Sequence, residues 1–384
     1  MILHELIDYS ILKMIWWALL GVLLIGFAVT DGFDMGVGSL LPFVGRNDTE
    51  RRVAIASVAP TWEGNQVWLI LGGGAIFAAW PALYAVSFSG FYLAMFVALA
   101  ALILRPVAFK YRDKNPDPTW RSRWDWALFT GSFVPALVFG VAVGNTLTGV
   151  PFTLNRDLRI AYEGSFFELF TPFALLCGLL SVAMLVMHGG AWLALRTEGV
   201  VATRGRRYGS FAAIAVIVLF ALGGLALSYG FIDGYRITSA VDPEMQANPL
   251  AKTTVKEAGS WLINYSIHPL LVVFPALGFI GALGALIGLN TRMEALTFLA
   301  SKLSVVGIIS TVGVSMFPFI LPSSIQPEAS LTVWDSSSSH STLFNMLVVT
   351  VIFLPLILAY TAYVYRVLWG KVSEESVNRD GAHY

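Results

Sequence analysis

Nine runs of about twenty apolar residues, each long enough to cross the hydrocarbon core of a bilayer as a helix, leave this 384-residue chain few folds to adopt. They lie near 12–42, 62–81, 83–106, 126–148, 168–195, 210–231, 263–288, 299–321 and 342–368. Only 12% of the residues are charged, half of what a soluble domain carries, about a quarter. The expected fold is an all-α integral membrane protein with a single transmembrane domain over 1–384. No small-residue cleavage signal follows the first run, so it reads as a retained span. The second and third runs are separated only by Trp80-Pro81-Ala82, which predicts a tight hairpin.

Lysine and arginine orient the spans. The ends reached after odd-numbered spans hold eighteen of the 24, among them Arg46, Arg51, Arg52, Lys110, Arg112, Arg121, Arg204, Lys371 and Arg379. The opposite ends hold six: Lys13, Arg156, Arg159, Arg236, Lys252 and Lys256. That bias predicts a cytoplasmic carboxyl terminus and an amino terminus outside, as an odd number of spans requires. Net charge is zero and no long basic run occurs, so no nucleic acid partner is expected. With Cys177 alone, there is no intrachain disulfide, cysteine zinc site or iron–sulfur ligand set.

Three outer loops stand out. Residues 149–167 and 232–262 read as caps or partner contacts, the second ending in a short helix through Lys256 to Trp261. The third, 322–341, carries Trp334-Asp-Ser-Ser-Ser-Ser-His340 and suits the membrane interface.

The first span contains the oddity. Asp31 and Asp34 sit inside it three residues apart, on one helical face, and a charge at bilayer depth costs roughly 2.5–3.5 kcal/mol on insertion scales. Such a face lines a proton or ion route or a cofactor pocket; alternatively the pair caps a broken helix or lies at the surface. In the predicted topology Glu63, Asn65 and Gln66 open the second span on the cytoplasmic side, beside Trp62, and Arg105 closes the third there. Acids, amides and a base from three spans at similar depth are the composition of a water-accessible path from the cytoplasm. They are also ordinary interface residues that snorkel or cap helices.

Of five histidines, only His188 lies within a span; His4, His268, His340 and His383 are terminal or in outer loops. A membrane haem takes axial ligands from His, Met or Cys, and His188 has no partner histidine on another span. It reads as a packed, hydrogen-bonded residue. Gly36 and Gly38 read as material for close helix packing.

Several segments resemble subunit II of the cytochrome bd-type quinol oxidases. They include Trp16-Trp17, Gly21 to Gly38 with Thr30-Asp-Gly-Phe-Asp-Met-Gly36, Gly45 to Arg52, and Pro60-Thr-Trp-Glu-Gly-Asn-Gln-Val-Trp-Leu69. Arg105-Pro106, Trp124-Asp-Trp126, Gly131 to Pro135, Gly149 to Phe152, Gly230 to Tyr235 and Met316 to Ser324 extend the likeness over nearly the whole chain. Some members of that family carry Asp where this chain has Glu63.

The resemblance implies two four-helix bundles plus one extra helix in a bacterial inner-membrane complex. The partner, subunit I, holds two b-type haems and one d-type haem, oxidises quinol near the outer face and reduces dioxygen to water. This chain is implied to ligate no haem, to stabilise subunit I and to help deliver cytoplasmic protons, with Asp31, Asp34 and Glu63 on the route and Trp62 and Arg105 beside it. A bound quinone or lipid and small accessory subunits are also implied, and the chain alone should catalyse nothing. The competing class is an ion-coupled secondary transporter, whose mark would be interrupted spans with acids in both halves; the second half has no intramembrane acid.

Overall fold

Where lipid surrounds a chain, every backbone polar group must be satisfied internally, and long apolar runs become helices. The computed structural model describes residues 3–379; the Arg379 side chain and His383 lie outside what it describes. Its first part comprises α1 (Tyr9–Val44), α2 (Asp48–Val58), α3 (Trp62–Ala79), α4 (Pro81–Gly90), α5 (Tyr92–Tyr111) and α6 (Pro118–Thr148). Then come β1 (Phe152–Leu154), β2 (Ile160–Tyr162), α7 (Pro172–Arg196), α8 (Gly199–Ser228), β3 (Asp233–Ile237) and β4 (Thr254–Ala258). The chain finishes with α9 (Ile263–Ile267), α10 (Val273–Thr291), α11 (Glu294–Met316), β5 (Phe319–Leu321), β6 (Leu331–Thr332), α12 (His340–Val367) and α13 (Glu374–Arg379).

Eight helices among the described residues are long and apolar enough to cross a membrane: α1, α5, α6, α7, α8, α10, α11 and α12. The run at 62–81, expected to be a ninth, falls short because Glu63, Asn65 and Gln66 occupy the first turns of α3. The chain leaves helix at Trp80, between the second and third runs, and the run at 83–106 is itself divided at Phe91. The start of the run at 263–288 is broken as well. Pro269 lacks an N–H and disfavours helical backbone at His268, so α9 stops at Ile267 and a 3-10 turn leads into α10.

One local expectation is corrected, and one element was not anticipated. Residues 48–58, between the first two runs, form the amphipathic helix α2, whose cap is Asn47 Oδ1 accepting the Glu50 N–H at 2.8 Å. The expected helix from Lys256 to Trp261 is instead strand β4 followed by a 3-10 turn. β4 opens on β-branched Thr254 and Val255, finds an antiparallel partner in β3 with Asp233 opposite Ala258, and is ended by Gly259 at φ +78°.

The two sets of charges gather at opposite ends of the bundle. At one end the fully buried Lys13 Nζ donates to the carbonyls of Pro243, Met245 and Trp334 at 2.8–2.9 Å. Lys252 pairs with Asp335 at 2.8 Å, both buried. These contacts pin the 232–262 and 322–341 loops to each other and to α1, so both cap the bundle. At the other end Arg112 bonds Asp48, Asp113 and Asp125, and Glu50 bonds Arg204 at 2.6 Å. These pairs fasten α2 to α5, α6 and α8.

Burial pushes the Glu50 carboxyl up, but the Arg46 N–H and Arg204 guanidinium outweigh it and hold it below its ordinary 4.5. Because the folded pKa is depressed, the stabilisation is complete above 4.5 and is lost as pH falls through the folded value. Glu50→Gln is expected to lower the melting temperature of the detergent-solubilised protein at neutral pH, with the gap closing below 4.5. A gap independent of pH would contradict this.

At the centre α1 crosses α7 with the two backbones in contact. A Cβ on Gly36 would overlap the Leu185 carbonyl, and one on Gly189 would overlap Gly36 itself. This is the small-residue packing that helices use where lipid offers no hydrophobic drive between them.

Candidate functional site

α1 presents two faces to its neighbours. Gly32 and Gly36, four residues apart, lie against α7. Asp31, Asp34 and Gly38, at i, i+3 and i+7, turn toward α3, α5 and α6. The glycines bring α7 close, and the opposite side carries the acids into a polar cluster about 15–20 Å along the helix from its Val44 end, at 1.5 Å per residue.

Asp31 and Arg105 form a bidentate pair: Nη1 to Oδ2 at 2.9 Å and Nη2 to Oδ1 at 2.7 Å, with both side chains fully buried. Paired forks of this kind fix both side chains in position. Asp34 is differently placed. Its Oδ2 accepts from Asn65 Nδ2 at 2.7 Å, and Asn65 Oδ1 accepts from the Tyr365 hydroxyl at 2.6 Å. Its Oδ1 is buried and has no hydrogen-bond partner among the described residues. Asp34 lines a cavity of about 10 Å³ shared with Arg105 and Ser132 and otherwise walled by apolar side chains of α1, α2, α5 and α6. That volume is about one water molecule, and the polar wall suits one.

Of the five residues singled out in the sequence, Asp31, Asp34 and Arg105 thus converge. Trp62 lies one layer out, buried and stacked on Phe109, a cavity wall residue, at 5.1 Å between ring centroids. Glu63 does not join the cluster; it is exposed on the outer side of the first turn of α3, where a carboxylate favours the helix terminus. Tyr365 was missed by sequence reasoning. Nothing in the run Tyr360-Thr-Ala-Tyr-Val-Tyr365 separates it from the interfacial aromatics around it, and its partner Asn65 is 300 residues away. Ser132 was missed likewise, although Gly38 offers a signal in retrospect, since a Cβ there would collide with the Ser132 hydroxyl.

A family model described as cytochrome bd terminal oxidase subunit II matches residues 12–368. The chain belongs to that family. It is 51% identical over 375 residues to cytochrome bd-I ubiquinol oxidase subunit 2 of Escherichia coli strain K12, covering 98% of this chain and 99% of the relative. The probable cytochrome oxidase subunit 2 of Haemophilus influenzae is 49% identical with the same coverage. The cytochrome bd ubiquinol oxidase subunit 2 of Bacillus subtilis is 30% identical over 94% of this chain and 97% of its own. In fold the chain is similar to the bd oxidase of Geobacillus thermodenitrificans, with a TM-score of 0.68 at 15% identity over 93% of this chain and 98% of that one.

As a member of this family the chain is a subunit of an oxidoreductase complex, and the family implies haem in that complex. His188, the one histidine within a span, is not placed as an axial haem ligand. His188 is fully buried, its Nδ1 bonded to Ser301 Oγ at 2.8 Å and its Nε2 to the Val29 carbonyl at 2.9 Å, with Phe298 stacked on the ring at 5.0 Å. Both nitrogens are committed to bracing α7 against α1 and α11. Among the described residues no group of three or more His, Cys, Asp or Glu side chains is arranged to hold a metal.

Proposed function

We propose that this chain is the haem-free subunit II of a quinol:dioxygen oxidoreductase of the bacterial inner membrane, and that it conducts cytoplasmic protons toward the oxygen-reduction site while stabilising the haem-bearing subunit I. The observation that carries this reading is the 51% identity, over nearly the full length of both chains, to a subunit of a ubiquinol oxidase. The buried Asp34, with a free oxygen beside a water-sized cavity and a hydrogen-bonded Asn65 and Tyr365 behind it, supports the proton role.

In this reading α3 is the ninth span, the amino terminus is outside, and the nine spans make two four-helix bundles and one further helix. Subunit I holds two b-type haems and one d-type haem; quinol and dioxygen meet this chain only through the complex. A bound quinone or lipid tail and small accessory subunits belong to the same proposal. The apolar outer face of α12, with Ile352, Leu356 and Tyr363 more than half exposed, and that of α3 and α5, with Ile70 and Ile103, supply the surface against which subunit I and membrane lipid would lie.

Chemically, Asp31 and Arg105 supply a fixed pair, whereas Asp34, bonded to an amide and free at Oδ1, is the acid able to exchange a proton with water. Glu63 would collect protons at the mouth and Trp62 would wall the route. Protons consumed at the oxygen site are then drawn from the cytoplasm while quinol protons leave on the outer face, so charge separates without a pumping step. The test is an optical spectrum of the complex purified through a tag on this chain, compared with this chain expressed alone. Haem b and d bands in the complex only are expected; bands from the isolated chain would overturn the haem-free assignment.

A further inference from the structure

A pocket of about 150 Å³ opens between the α1–α2 turn and the start of α6, walled by Arg46, Asn47, Asp48, Arg51, Pro116, Pro118 and Arg121. Three guanidinium groups from two separate segments converge on it, against one carboxylate. That carboxylate is already engaged, Asp48 Oδ1 by Arg112 at 2.8 Å and Oδ2 by Arg121 at 2.6 Å. Arg51 bonds Asp125 through Nη1 and the Gly45 carbonyl through Nε. Arg46, by contrast, is exposed, and its side chain makes no hydrogen bond or ion pair among the described residues. The Arg121 Nε is buried without a hydrogen-bond partner, with Asp113 Oδ1 3.9 Å away. Donors and positive charge are in surplus, which suits an oxyanion with several oxygens.

An apolar strip joins the same end of α1 to α6. Phe43, 46% exposed and three residues before Arg46, has its ring 6.2 Å from that of Phe129, which in turn meets Trp126, 53% exposed, and Phe133, each at 5.3 Å. A basic pocket with exposed aromatic rings at the same end of α1 matches an amphiphile better than a soluble anion, because aromatics of this kind mark the headgroup level of a membrane.

We propose that this pocket binds the headgroup phosphate of an anionic phospholipid, with the acyl chains lying along Phe43, Phe129 and Phe133. Basic pockets at the cytoplasmic ends of spans select anionic headgroups by charge. The site stands apart from the proton role and does not depend on it.

The test is photolabelling of the purified oxidase complex with a photoreactive phosphatidylglycerol, mapped by peptide mass spectrometry. Labelling is expected in the segments 43–52 and 116–133, competed by unlabelled phosphatidylglycerol but not by phosphatidylcholine or inorganic phosphate. Arg46→Gln should reduce the yield roughly fivefold, the weight of one near-surface arginine, while Arg46→Lys and the exposed, off-pocket Arg123→Gln leave it unchanged. Labelling insensitive to Arg46→Gln, or competed equally by phosphatidylcholine, would overturn the site. Competition by inorganic phosphate would overturn the lipid and leave a soluble anion.

Discussion

Replacing Arg105 by methionine is expected to destabilise the subunit by about 3–5 kcal/mol, the cost of leaving one partner of a buried ion pair uncompensated. Arg105 and Asp31 are both sealed from solvent and joined by two hydrogen bonds, so without the guanidinium the Asp31 carboxylate has no water to turn to. The double variant Asp31→Leu with Arg105→Met removes both charges and should recover most of the loss, because well-packed apolar replacements for a buried pair are often neutral. Thermal unfolding of the solubilised complex and the amount assembled in membranes would be measured for both singles and the double, as a double-mutant cycle. Strictly additive losses would mean that the pair is not coupled. The pair would then be no fixed anchor for the acid beside it.

The cluster around that pair was partly legible in the sequence, and the division has a physical basis. Asp31 and Asp34 announced themselves because an acid in a long apolar run is costly and stands out against leucine and valine. Arg105 and Asn65 followed from the predicted topology, which put the start of the second run and the end of the third on one side with Asp31 and Asp34. Tyr365 could not be read this way: a tyrosine near a span end is the commonest of interfacial residues, and only the packing of α12 beside α3 reveals the bond to Asn65. Glu63 stands apart from the cluster, exposed on the first turn of α3. Its charge drew attention, but the pitch of α3 turns Asn65 inward and leaves Glu63 outside.

The same contrast runs through the fold. Long apolar runs translated into helices because hydrophobic length is a property of the segment itself. Helix α2 and strand β4 depend on what lies next to them. The apolar side of α2 is buried, with Trp192 Nε1 donating to the Ser57 carbonyl at 3.1 Å, and β4 exists because β3 offers it a ladder. Neither neighbour is visible in a local window, so β4 was read as a helix and α2 went unassigned. Breaks at Phe91 and His268 were likewise hidden inside runs whose mean apolarity passed for a continuous span.

Asp34→Asn separates a proton role from a structural one. The amide keeps the volume of the side chain and can still pair with Asn65, so assembly with subunit I and haem content should be unchanged; only the exchangeable acid is lost. If Asp34 carries protons, oxygen consumption by the assembled complex with saturating quinol should fall steeply, toward the roughly hundredfold that a positioned proton-transfer group supplies. Tyr365→Phe should cost less, because it removes the bond that orients Asn65 and leaves the acid in place. Glu63→Gln should cost less again, since an exposed acid at a cytoplasmic mouth has water and neighbouring groups to replace it. The ordering matters as much as the size, for a purely structural cluster predicts that Arg105→Met is severe while Asp34→Asn, Tyr365→Phe and Glu63→Gln all consume oxygen at the normal rate. Normal turnover in Asp34→Asn with full haem content would therefore remove proton conduction from this subunit and leave it the task of holding subunit I.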